Sequence, residues 1–321
     1  MKNRLLFRII NLVLLSVVFF FIAKYFVNNL SDFKKYNISS ISFLGLFVSL
    51  PFLWFKLCIT SLSYHLVMAK IAPSIKLNEN LKIWSKSYLG LYIPGKIGVL
   101  AFRILDYNKY GISSMKVSYG FFVEIILSLL SSCFIVLFCG LLVKMDLVIG
   151  YLPWLVALFI ILIVLVHPRL IHFYARLYFK YIRKTDNYYT APFSYLFYIK
   201  IILLHILKWC FVGIGVFILI NSVTDLSWSY LPFVTGLYAA ATIIGIIAFF
   251  APSGIGVVEG VMIIGLKTIL SSSLAGAISI LIRIWKVIGE LSFIFLLNLS
   301  LQRTLRIKMF EKNEIPDISS K

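Results

Sequence analysis

The chain has 321 residues, 61% hydrophobic and 13% charged, with a mean hydropathy of +0.98. Soluble domains run to about half apolar and a quarter charged, so no water-soluble core could absorb this excess, and a separate aqueous catalytic domain is excluded. Lys and Arg number 31 against 12 Asp and Glu, a net charge of +19, which in so apolar a chain marks loops facing anionic lipid rather than nucleic acid.

A bilayer core about 30 Å thick needs roughly 20 apolar residues per helical span. Runs of that kind place helices at 5–27, 41–68, 117–143, 147–166, 196–221, 229–250, 255–271 and 274–300. The first follows Lys2 and Arg4 and is too long for a signal-peptide core, so it is expected to stay as an anchor. The fold class is therefore all-α, a polytopic integral membrane protein of about eight membrane helices. It forms a single transmembrane domain over 1–321, with halves at 1–145 and 146–302 and a basic tail at 303–321.

Basic residues gather at the start, in 70–116 with eight, in 169–184 with five, and in the tail at Arg303, Arg306, Lys308 and Lys312. An even number of crossings puts all of these on one side, so both termini are expected in the cytoplasm and the protein in the inner (plasma) membrane. The stretch 169–184 reads either as a basic amphipathic helix on the inner leaflet or as an ordinary positive-inside loop.

The segment 81–105 looks membrane-embedded yet carries Pro94-Gly95-Lys96, which interrupts any helix. Broken backbone at membrane depth survives only when buried in protein or lining a wet cavity, so this piece is expected to be re-entrant or half-inserted. The break has an echo. Pro94-Gly95-Lys96-Ile97-Gly98 and Pro252-Ser253-Gly254-Ile255-Gly256 both read P-x-x-I-G, a sign of an internal repeat. Paired Gly/Pro-interrupted segments in two halves are what transporters place around a substrate, so Pro94, Gly95, Gly98, Pro252, Gly254 and Gly256 are candidate hinges.

The stretch Ser87-Tyr88-Leu89-Gly90-Leu91-Tyr92-Ile93-Pro94-Gly95-Lys96-Ile97-Gly98, with Arg103, Gly111, Glu124 and the run Pro252 to Glu259, resembles the lysylphosphatidylglycerol synthase transmembrane family of flippase-like proteins. That family's second signature resembles P-G-G-x-G-x-x-E, matched here except at Ser253. Glu124-Ile125 departs from the acidic-basic pair the family pattern implies. The resemblance implies a cell-envelope membrane protein that moves charged lipids between leaflets. The synthases carry an aminoacyl-transferase domain after their membrane part; this sequence ends at Lys321 without one, so lysine transfer is not expected.

Charged side chains near the middle of a span cost roughly 2.5–3.5 kcal/mol and usually face a cavity or a partner. Arg283, Lys286 and Glu290 share one face of the last helix, with Lys286 and Glu290 spaced to pair. Lys200, His205 and Lys208 lie in the 196–221 helix and Lys56 in the 41–68 helix; Lys200 and Lys56 either face the interior or snorkel to an interface. Cations outnumber the embedded acids, which suits an anionic head group. Lys96, Arg103, Ser253, Lys208, Arg283 and Lys286 are the expected ligands of a lipid phosphate. Glu124, Glu259 and Glu290 are expected to balance those charges or relay protons, and Glu259 stands out because a carboxylate after a glycine-rich break has little structural purpose.

Cys58, Cys133, Cys139 and Cys210 lie in apolar runs without metal-type spacing, and the four histidines form no zinc-like cluster. No metal or cofactor is expected, nor a nucleotide-binding loop. The expected partners are membrane lipids, anionic ones first, and envelope-biosynthesis enzymes. The readings are a flippase-like protein binding and translocating an anionic lipid or lipid-linked glycan phosphate, a membrane-embedded transferase using Glu124 or Asp106 as base, or a non-catalytic scaffold.

Overall fold

A computed structural model describes residues 42–92, 97–143, 193–248 and 251–314, with isolated positions between 150 and 189. The expected anchor at 5–27, the hinge residues Pro94 and Gly95, Lys96, and most of the basic stretch 169–184 lie outside the described residues. Eight helices are defined end to end: α1 (Phe43–Ile71), α2 (Leu77–Tyr88), α3 (Ile97–Asn108), α4 (Ser114–Val143), α5 (Tyr195–Asn221), α6 (Leu231–Ile247), α7 (Val257–Leu266) and α8 (Ser272–Glu314). Among the described residues, four helical stretches are long and apolar enough to cross a membrane: Phe43–Ile71, Ser114–Val143, Tyr195–Asn221 and Trp228–Ile247. The protein is an all-helical, membrane-embedded chain.

Local chemistry sets several boundaries. Ser42 caps α1 by accepting from the Gly45 N–H at 3.2 Å, and Ser194 caps α5 by accepting from Phe197 at 3.2 Å. Glu79, in the first turn of α2, accepts from the Lys76 N–H at 3.0 Å. The span expected at 255–271 is shorter than its apolar run, because α7 has ten residues and stops at Leu266. At 1.5 Å per residue that is about 15 Å, half a bilayer core.

The short pieces form two antiparallel hairpins. In the first, α2 and α3 lie side by side, joined through Asn80–Tyr107 and Lys86–Asp106 hydrogen bonds, and Gly90 meets Gly98 where the strands of chain cross. A Cβ on Gly90 would stand 2.5 Å from the Gly98 carbonyl carbon, so no other residue fits there. In the second, Val258 of α7 packs on Gly245 of α6, and Leu237 near the start of α6 covers Gly265 near the end of α7. A 3₁₀ turn lies beside each break, Leu89–Tyr92 in the first and Pro252–Gly254 in the second.

These hairpins reveal a repeat of four helices. Pro94 and Pro252 are 158 positions apart. The same shift carries α2 into α6, α3 onto α7, the start of α4 onto Ser272 at the start of α8, and most of α1 onto α5. The two units run in opposite directions. Gly45 of α1 meets Ser222 of α5, Phe52 meets Gly215, and Phe55 stacks on Phe211, so the paired first helices are antiparallel. By contrast α1 and α8 are parallel, with Leu53 on Gly289 and Trp54 donating to Ser292 at 3.2 Å. The C-terminal ends of α1 and α8 therefore share one end of the bundle with the basic connection that runs on from Lys70. Inverted pairs of this kind carry their sites near mid-depth, where the two halves meet.

Candidate functional site

The second break is built from left-handed backbone. Ser253, Gly254 and Gly256 have φ of 50°, 69° and 82°, and Ser253 is the one non-glycine with positive φ among the described residues. A side chain in that region costs about 1–2 kcal/mol, so something must hold it. Two cations of α8 do so: Arg283 Nη1 donates to the Ser253 carbonyl at 3.2 Å, and Lys286 Nζ donates to the Ser253 hydroxyl at 3.0 Å.

Glu259 closes the break from the other side. Its carboxylate accepts the Gly256 N–H at the start of α7 and pairs with Arg283 Nε. The glycine-rich break thus gives Glu259 a structural task that sequence alone did not supply: it caps α7 and ties it to α8. One group stays unspent. Arg283 Nη2 is buried and has no acceptor among the described residues, although a guanidinium fork is shaped for a second anionic oxygen.

The first break reaches the same place. The turn Leu89–Tyr92 packs against Pro252–Gly254, and its tyrosines bind α8: Tyr88 donates to Glu290 at 2.9 Å and Tyr92 at 2.7 Å. Glu290 is fully buried, and Lys286 stands 3.9 Å from it. The hydroxyls are the closer partners, so the expected Lys286–Glu290 pair is the weaker tie. Half-buried Lys56 of α1 lies within electrostatic reach of Glu290. Among the described residues, Arg283, Lys286 and Lys56 against Glu259 and Glu290 leave a formal surplus of one positive charge where the repeats meet.

The other predicted ligands stand apart. Arg103 is 3% exposed, lies 3.7 Å above the Tyr64 ring and 5.2 Å from that of Phe121, and donates to Glu124 at 2.7 Å and Ser87 at 3.2 Å. This pair locks the first hairpin to α1 and α4, and it is not joined to Arg283 and Lys286. Lys208, also buried, donates to Ser128 of α4 at 2.7 Å. Lys200 is exposed and so stands outside the buried clusters. Glu124–Arg103 and Glu259–Arg283 both join the second arm of a hairpin to the following long helix, with the charges exchanged.

Asp106, the other candidate base, sits at the rim of the first hairpin between Lys109 at 2.6 Å and Lys86 at 3.1 Å. Burial pushes its carboxyl up, but hydrogen bonds from the two ammonium groups outweigh this and hold it below the usual range. A carboxylate held ionised in that way is a weak base. Tyr88 and Tyr92 were absent from the sequence-derived set, although an i, i+4 tyrosine pair just before a Pro-Gly break was there to be read.

With this geometry in place, comparison with known proteins finds a family model described as lysylphosphatidylglycerol synthase TM region, matching residues 8–291. No curated protein matches the chain.

Proposed function

We propose that this chain, which belongs to the lysylphosphatidylglycerol synthase TM-region family, is a flippase-like protein of the plasma membrane. It binds the phosphate of an anionic lipid or lipid-linked glycan where its two hairpins meet, and passes that lipid between leaflets in cell-envelope biosynthesis. The observation that carries this reading is the convergence of Arg283 and Lys286 on Ser253, with a guanidinium nitrogen unspent and the first break pinned to the same helix through Tyr88 and Tyr92. A surplus cation buried between two inverted units suits a group that brings its own negative charge. The basic connection beyond Lys70 and the C-terminal end of α8 share one end of the bundle, which supports cytoplasmic placement of that end.

Reconstitution into vesicles with head-group-labelled phosphatidylglycerol tests the reading. Arg283→Ala should lose both lipid binding and leaflet exchange, and Glu259→Gln, which keeps shape but drops the charge holding Arg283, should weaken both. Wild-type binding and exchange in the two variants would remove the site.

A further inference from the structure

Lys56 has two readings from sequence, an interior cation or one that snorkels to an interface, and its place in α1 decides between them. It stands 13 residues after the start of the helix at Phe43 and 15 before its end at Ile71. At 1.5 Å per residue either end is about 20 Å away, well beyond the reach of a lysine stem. The ammonium therefore stays at mid-depth, half-buried, and makes no hydrogen bond among the described residues.

Charged groups flank it on two sides. Towards α8 lies Glu290, whose oxygens already accept from Tyr88 and Tyr92, with Lys286 in electrostatic reach as well. Towards α5, the antiparallel register that joins Gly45 to Ser222 and Phe52 to Gly215 brings Lys208 within about one helical turn of Lys56. The two ammonium groups feel each other electrostatically. Lys208 is buried and donates to the Ser128 hydroxyl, while the carboxylate in its reach, Glu124, is spent on Arg103. One turn before Lys208 on the same face, His205 is fully buried with neither ring nitrogen bonded among the described residues. With Arg283 Nη2 also unspent, donors outnumber acceptors along this belt.

The charge count agrees. Adding Lys208 to Arg283, Lys286 and Lys56, against Glu259 and Glu290, raises the formal surplus among the described residues to two. The pairing of α1 with α5 does not require these cations: shifted by 158 positions, Lys56 and Lys208 correspond to Ile214 and Leu50. Unpaired charge at this depth is costly and marks a site with a partner to come. The surplus is divided between α8 and the α1–α5 side, with Glu290 between, so negative charge is wanted in two places.

We propose that Lys56 makes this a site for a lipid head group with two phosphates, the first held by Arg283 and Lys286 and the second by the Lys56 ammonium, with Lys208 behind it. The proposal rests on the phosphate reading of the Arg283 cluster and adds to it the class of head group.

The test is titration of the full chain in detergent with farnesyl diphosphate, farnesyl monophosphate, cardiolipin and phosphatidylglycerol, with bound lipid counted by native mass spectrometry. Farnesyl diphosphate should bind about tenfold more tightly than the monophosphate, the worth of one further charge-assisted hydrogen bond. Lys56→Gln should erase that preference and leave the monophosphate affinity unchanged, Lys56→Arg should keep it, and exposed Lys200→Gln should alter nothing. Cardiolipin against phosphatidylglycerol asks the same of two phosphates set apart by a glycerol: a Lys56-dependent preference in that arm alone would assign the spaced head group. Equal affinity for one and two phosphates in both arms of the wild-type protein would overturn the proposal while leaving the Arg283 site standing; binding indifferent to Arg283→Ala would remove that site itself. Equal weakening of all four lipids by Lys56→Gln would also overturn it, and so would displacement of farnesyl diphosphate by an equal concentration of inorganic diphosphate, which would give the site to a soluble anion.

Discussion

Tyr92, on the turn beside the first break, donates its hydroxyl to Glu290 of α8 at 2.7 Å, so a carboxylate of the second unit is held by the break of the first. Tyr88 reaches the same carboxylate at 2.9 Å from one helical turn earlier. The two units are therefore coupled at mid-bundle by hydrogen bonds to a buried charge, the kind worth about 1.5–3 kcal/mol each.

Tyr92→Phe should lower stability by about 1–2 kcal/mol, because Tyr88 remains to satisfy Glu290. Tyr88→Phe with Tyr92→Phe should cost more than the sum of the single changes, since the carboxylate then keeps no hydroxyl donor and faces only the more distant ammonium groups of Lys286, at 3.9 Å, and Lys56. Thermal unfolding in detergent measures both. Strict additivity would mean the hydroxyls do not share Glu290.

Ser253 separates backbone from side chain. Glycine accepts φ of 50° without penalty, a gain of about 1 kcal/mol, but Ser253→Gly also removes the hydroxyl that Lys286 donates to, a bond worth about 1.5–3 kcal/mol, so stability should fall by about 1 kcal/mol. Lipid binding should fall in the same variant. A folded variant with unchanged lipid affinity would show that the serine hydroxyl takes no part in the site.

The sequence carried the membrane class, most helix boundaries and the P-x-x-I-G echo, because hydropathy over 20 residues and a Pro-Gly interruption are local signals. It did not carry the inversion of the two units. Apolar length alone reads 229–250 and 255–271 as two crossings, yet α7 ends at Leu266 and folds back on α6 through Gly245 and Gly265, whose missing side chains allow the close approach. Nor did it sort the buried cations. Arg103, Lys208 and Arg283 look equivalent along the chain, and only packing shows that Arg103 is committed to Glu124 and Tyr64 while Arg283 retains an unpaired nitrogen.

That commitment makes Arg103 a structural residue. Glu124→Gln should cost about 3–5 kcal/mol, since it leaves a buried guanidinium without its counter-charge. Arg103→Met combined with Glu124→Leu should recover much of the loss, as apolar replacements of buried pairs often do. Lipid binding measured on the folded double variant should match wild type; a double variant that is stable but no longer binds lipid would move Arg103 into the site.

Asp106 predicts the response to acid. Its carboxyl is held below its ordinary value of 3.8, so the folded form loses its proton more readily than the unfolded chain. The resulting stability is present above that ordinary value and is lost as pH falls towards the folded one. The lysine side chains are 58% and 66% exposed, so solvent screens the contribution to about 1 kcal/mol or less. Denaturant unfolding between neutral pH and about pH 3 should show an acid limb that Asp106→Asn flattens, and added salt should shrink the difference between the two proteins. An acid limb identical in both would place the responsible carboxylate elsewhere and leave the clamp on Asp106 without energetic weight.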